Sequence, residues 1–252
     1  MLAFQPLSEV QTRFRRHPMQ PAKTQPTPPP RAPSTEVRRK VILDLVRARP
    51  EIVLELLSRL TVAIPAHQRL QREQLGPVSA GGADPVVLSL RGGPPALGVI
   101  VDAQVEPDTT TRYAWPHQAC ALRAELRCPV LLCVVTPRRS LARWAARPIR
   151  LGGGNLFQPT ALGPAAIPAI VDSVSASQLP ELAVLSSIAH GRGLDQERAA
   201  RIAAAALQAA AQLELELCQR YTQIVRSTLG EPARRLLHEM ELCSELAAPK
   251  QP

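Results

Sequence analysis

Val86-Val87-Leu88-Ser89-Leu90, then Arg91-Gly92-Gly93-Pro94-Pro95, then Leu97-Gly98-Val99-Ile100-Val101-Asp102-Ala103-Gln104-Val105: the reading of this stretch decides the fold. Two apolar runs flank a Gly-Pro turn, which is the pattern of a β-hairpin. The run from Leu97 to Val101 shows no polar alternation, so the second strand is expected to be buried on both faces. Downstream, residues 109–127 place Trp115, Leu122 and Leu126 on one side of a helix, with Pro116 in its first turn. Pro129 to Val135 reads as a third, fully buried strand. Strand, helix, strand in close succession predicts a right-handed crossover with the second and third strands parallel.

Working outward, Ser34 or Thr35 can cap a helix running to about Arg49, and Pro50 opens a second helix to Leu60. Residues 61–83 read as a polar loop. After the third strand come a short helix (140–146), a strand (148–151), a Gly152-Gly153-Gly154 turn and a short extended stretch near Ile167 to Val171. From Leu179 the chain reads as helical: one helix ends at His190, one long Ala-rich helix runs from Asp195 to about Leu229, and a last one follows Pro232. The expected class is α/β, a small mixed sheet flanked by helices with a C-terminal helical region. Three parts follow: a disordered, basic, Pro-rich tail (1–33), an α/β core (34–177) and the helical region (178–252).

Composition narrows the function classes. Apolar residues make up 45% of the 252 and aromatics only 3%, so aliphatic side chains must fill the core. Six of the nine net positive charges fall in residues 1–40, where eight Lys/Arg face Glu9 and Glu36. A basic tail attracts phosphate without reading sequence, and it is equally compatible with a solvated extension. Five cysteines without a CxxC indicate neither a disulfide framework nor a zinc clip. No apolar run has the length of a membrane helix, and the N-terminus lacks a signal-peptide core, so a cytoplasmic protein is expected. Five His without metal-type spacing argue against zinc, and the Gly clusters lack the phosphate-loop pattern.

Two acids stand out. Asp84 precedes the first hairpin strand and Asp102 lies within the second. On adjacent strands such carboxylates can converge at one end of a sheet. A carboxylate inside an apolar strand is costly to desolvate unless it is paired or metal-bound. Asp102 and Gln104 share a face, because side chains repeat every second residue in a strand. Paired acids of this kind can hold Mg²⁺ or Mn²⁺, whose bound water attacks a phosphodiester. The plainer readings are a strand-entry residue for Asp84 and a solvent-facing stripe for Asp102 and Gln104. Arg112 and Tyr113 could touch phosphate or form surface pairs. The run Arg123, Arg127, Arg138, Arg139, Arg143, Arg147, Arg150 could face nucleic acid or simply solvent.

This pattern resembles the PD-(D/E)XK nuclease superfamily, and within it the recombination-promoting nuclease and transposase-like group, whose second motif ends in Gln. The resemblance is carried by Asp102-Ala103-Gln104, Pro107-Asp108, Arg112-Tyr113 and Leu122-Arg123-Ala124. The stretches Ala142 to Ile149, Leu182 to Ser186 and Ala189-His190-Gly191 are also similar to bacterial proteins of comparable length. It implies a restriction-endonuclease-like core and a Mg²⁺- or Mn²⁺-dependent DNA endonuclease. Asp84 and Asp102 would be the metal ligands, Gln104 would complete the catalytic set, and Arg112, Tyr113 and Arg123 would contact DNA. Three features depart from the family pattern. Asp102 is shorter than Glu, Gln104 carries no charge, and Arg39-Lys40 stand where relatives carry His-Glu in the first helix. These departures imply an alternative: a degenerate member acting as a binding or homo-oligomerisation module, with the Ile202 to Ala211 stretch and Leu213, Leu215 and Leu217 suited to helix pairing.

Overall fold

The computed structural model describes residues 34–60, 62–66, 69–73 and 85–247, all within one unit covering residues 32–252. The expected tail (1–33) lies outside the described residues. The chain opens with α1 (Thr35–Ala48), capped by Ser34, whose side chain accepts from the Val37 N–H at 3.4 Å. Ile42, Leu43, Leu45 and Val46 form its buried stripe. Pro50 then leads into α2 (Glu51–Ser58), which buries Ile52, Val53, Leu56 and Leu57.

A mixed five-stranded sheet follows. Its strands are β1 (Arg69–Glu73), β2 (Val86–Arg91), β3 (Pro95–Ala103), β4 (Val130–Val135) and β7 (Thr160–Leu162), in the order β1-β2-β3-β4-β7. The β1/β2 and β2/β3 pairs are antiparallel, and the β3/β4 and β4/β7 pairs are parallel. The crossover from β3 to β4 is α3 (Thr109–Leu126). That from β4 to β7 contains α4 (Arg139–Ala145) and a two-stranded hairpin, β5 (Ile149–Gly152) with β6 (Asn155–Phe157).

Strand alternation divides the core between the two faces of the sheet. Leu88, Val99, Val101, Cys133 and Val135 point to α1, α2 and the C-terminal helices, whereas Ile100, Leu132 and Val134 point to Trp115, Leu122 and α4. Gly98 lets α3 sit close to β3. A Cβ there would meet Leu122 Cδ2 and Leu126 Cδ1 at 3.2 Å and Val130 Cγ2 at 3.0 Å.

The C-terminal region is five helices: α5 (Ser173–Gln178), α6 (Pro180–His190), α7 (Gln196–Ala210), α8 (Leu215–Thr228) and α9 (Glu231–Ala247). The Ala-rich stripe of α7, including Ile202, Ala203, Ala206 and Ala210, is buried within this chain. Tyr221 of α8 donates to Glu181 of α6 at 3.2 Å, and burial, reinforced by that carboxylate, pushes its hydroxyl up to about 12.

Several expectations need correction. Pro116 lies in the middle of α3, not its first turn, because Asp108 is the N-cap and the helix begins at Thr109. Its missing N–H leaves the Arg112 carbonyl without the usual helical bond. Residues 69–73, expected as loop, form the edge strand β1. The stretch is too polar to show alternation and is recruited by backbone pairing with β2. Glu73 fastens it, accepting from Ser89 Oγ and from Arg91 Nη2, each at 2.6 Å. The last strand is Thr160–Leu162, not 167–171; Ile167 and Ile170 are buried from irregular backbone, and Pro168 has no N–H to offer a ladder. The single helix expected over 195–229 is two helices, broken between Ala210 and Leu215.

Candidate functional site

Asp102 lies near the carboxyl end of β3 and is 2% exposed. Burial of a carboxylate in an apolar strand requires donors, and the fold brings four. Arg39 of α1 donates from Nη2 to Oδ1 at 2.7 Å, and the Ala103 N–H donates to the same oxygen at 2.8 Å. Trp115 of α3 donates from its indole N–H to Oδ2 at 2.8 Å, and Gln104 donates from Nε2 at 3.0 Å. Each oxygen therefore accepts two hydrogen bonds, which fills the lone-pair capacity of an ionised carboxylate. One of the four donors carries a full positive charge, which offsets the cost of burying the carboxylate.

The three elements that meet here arrive for separate reasons. The α1 stripe Ile42, Leu43, Val46 packs on one face of the sheet, and Arg39 sits one turn before it on the same side of the helix. Trp115 fills the opposite face and is fully buried, its ring edge-on to Trp144 with centroids 5.9 Å apart. Gln104 continues the β3 line, its N–H donating to the Val135 carbonyl at 2.9 Å, so strand alternation places its amide beside Asp102 as expected.

A divalent ion needs carboxylate oxygens with free lone pairs and several hard oxygen ligands. Asp102 offers none free, and among the described residues no group of three His, Cys, Asp or Glu is placed to hold a metal. The described donor set therefore fits a guanidinium at Asp102 and not Mg²⁺ or Mn²⁺. Asp84, the other expected ligand, lies outside the described residues.

The expected nucleic-acid contacts are dispersed. Arg112 is half-buried and stacks over Trp144 at 5.3 Å. Its guanidinium is committed to the chain itself, donating to the Trp144 carbonyl at 2.8 Å and the Arg147 carbonyl at 2.7 Å. Burial, with the nearby Arg147 charge, lowers its pKa. Tyr113 is 85% exposed. Arg123 is exposed in the last turn of α3, about 15 Å along the helix axis from Tyr113. Asp108 is the N-cap of α3, accepting from the Thr110 hydroxyl at 2.6 Å and the Thr111 hydroxyl at 2.6 Å. Those bonds hold its carboxyl down at about 2.

Arg39 and Trp115 are the site residues that sequence reasoning missed. A signal for Arg39 was present: residues 39, 42, 43 and 46 share one helical face, and three of them are apolar. A cation on such a stripe calls for a buried anion. Trp115 was legible as core, but nothing local linked its N–H to Asp102.

Among the described residues no helix is long and apolar enough to cross a membrane. No protein-family model matches the chain, and neither does any curated protein or solved structure.

Proposed function

We propose that this protein is a non-hydrolytic binding module built on a restriction-endonuclease-like core. The order of helices, antiparallel strands, crossover helix and parallel strand supports that fold reading. One observation carries the loss of hydrolysis: the Asp102 carboxylate, the expected metal ligand of the second motif, is closed by the Arg39 guanidinium and three neutral donors. Arg39-Lys40 stand where the resembling family carries His-Glu; Lys40, in the acid's place, pairs with Asp44 at 2.8 Å, and Arg39 beside it pairs with Asp102. Within this reading the centre is a structural clamp that ties α1 and α3 to β3.

The test is plasmid incubation with Mn²⁺ or Mg²⁺, together with calorimetric Mn²⁺ titration of the full chain. The expected result is no nicking above that of the Asp102→Ala variant and no stoichiometric Mn²⁺ site. Metal-dependent nicking by the wild type that disappears in Asp102→Ala would restore the endonuclease reading, with Asp84, Asp102 and Gln104 as its centre.

A further inference from the structure

The parallel strands β3, β4 and β7 all end toward one cleft. Val105 follows β3, Pro137, Arg138 and Arg139 follow β4, and Pro164 follows β7, and all five line it. In open α/β sheets, the space beyond the carboxyl ends of the strands is where ligands bind. The cleft has a volume of about 750 Å³, within the range of small-molecule sites. Its apolar floor comes from α1 (Val41, Ile42), α6 (Ile188) and α8 (Ile224).

The lining is charged in one sense only. Its described residues include Arg138, Arg139 and Arg192, with His190 beside them, and among the described lining residues there is no Asp or Glu. Arg138 is anchored by a hydrogen bond from Nη2 to the Val105 carbonyl, and Arg192 by one from Nε to the Thr228 carbonyl at 3.3 Å. Each of these contacts uses one of the five guanidinium N–H groups, so both heads hold further donors. Arg139 is exposed. In the adjoining smaller recess the one acid among the described lining residues, Asp195, accepts from the Arg198 N–H at 2.9 Å as the cap of α7. Arg138, Arg139 and Arg192, with no acid among the described residues around them, stand above an apolar floor and are complementary to a ligand with an apolar body and an oxyanion head, which guanidinium forks grip in bidentate fashion.

The volume matches a small molecule, and sign excludes one occupant that the chain itself could supply. The chain's own first 33 residues carry five Lys/Arg against Glu9, the wrong sign for this rim. We propose that the cleft binds a small amphipathic anion from solution, an apolar chain or ring system bearing a phosphate or carboxylate, with Arg138, Arg139 and Arg192 taking the head and Val41, Ile188 and Ile224 the body. This goes beyond the loss of hydrolysis and does not depend on it.

The full chain, kept in EDTA to silence any metal chemistry, is titrated with anilinonaphthalene sulfonate, a fluorescent amphipathic anion. Bound dye is then displaced with monomeric decyl phosphate, decanoate, decanol or inorganic phosphate. Saturable dye binding is expected, with the phosphate or the carboxylate displacing it at least tenfold more effectively than decanol or inorganic phosphate. Arg139→Glu should weaken displacement about tenfold while leaving the melting temperature unchanged, and Ile224→Trp should block dye binding by filling the floor. Equal potency of decanol and decyl phosphate, or no saturable binding by the wild type, overturns the proposal. So does unchanged affinity in Arg139→Glu together with Ile224→Trp, or binding seen only with vesicles containing anionic lipid.

Discussion

Arg38 and Arg39 are neighbours on α1, yet they serve regions of opposite character. Arg39 enters the Asp102 centre, where one carboxylate meets four donors and is 2% exposed. Arg38 lines the cleft beyond the strands, where Arg138, Arg139 and Arg192 gather over an apolar floor with no Asp or Glu among the described lining residues. The first region has spent its electrostatics on the fold. The second keeps charge of one sign among its described residues. A conspicuous acid therefore marks function only when its lone pairs are free, and a one-signed rim can be the better pointer.

The sharpest way to break this contrast is to remove the clamp. Arg39→Met should lower the unfolding free energy by about 3–5 kcal/mol, because it strands a buried carboxylate; urea denaturation measures it. A cycle with Asp102→Asn should show coupling of about 1–3 kcal/mol, as for residues in direct contact. Additive losses would mean that the pair is not a unit.

Trp115→Phe keeps most of the ring but deletes the indole donor. A loss of about 2 kcal/mol is expected from a hydrogen bond to a charged acceptor, again read from urea denaturation. A loss under about 0.5 kcal/mol would show that Asp102 is satisfied without it.

Asp108 gives a smaller, pH-dependent effect. Asp108→Ala should cost about 1 kcal/mol as a lost helix cap. The Thr110 and Thr111 hydrogen bonds depress its carboxyl from 3.8 to about 2. The stabilisation from its charge is therefore complete above 3.8 and is lost as pH falls through about 2. The gap in melting temperature between wild type and Asp108→Asn should accordingly hold from pH 7 to 4.5 and close toward pH 2.

The smallest effect belongs to the cleft. Arg139→Glu should change stability by no more than about 0.5 kcal/mol, as for surface positions outside the core. A loss above 1 kcal/mol would make this rim structural, and the contrast between the two regions would fail.

The hairpin, the crossover and the parallel pairing of β3 with β4 were legible because each is written in local patterns: largely apolar runs of Val, Ile and Leu, a Gly-Pro turn, and a helical repeat between two strands. The edge strand β1 was not, since Leu70 is the one apolar residue between Arg69 and Glu73 and the stretch becomes a strand only when β2 offers its backbone. The break between α7 and α8 escaped for the converse reason. Ala209 to Leu217 has no Gly or Pro, and every residue there tolerates a helix. The alternation of Leu213, Leu215 and Leu217 was the one faint sign of interruption.

The same division governs the candidate site. Sequence periodicity alone determined that Asp102 and Gln104 lie side by side and that an acid within an apolar strand must find compensation. Only the tertiary structure decided what compensates it. Arg39 is 63 residues away along the chain and Trp115 is 13. Their convergence follows from two faces of one sheet being covered by different helices. The cleft is likewise assembled from three strand ends and three helices, and its one-signed charge appears only once those distant arginines share a rim. Alternation and helical repeat report which way a side chain points; which charge it meets there is set by long-range packing, which local pattern does not encode.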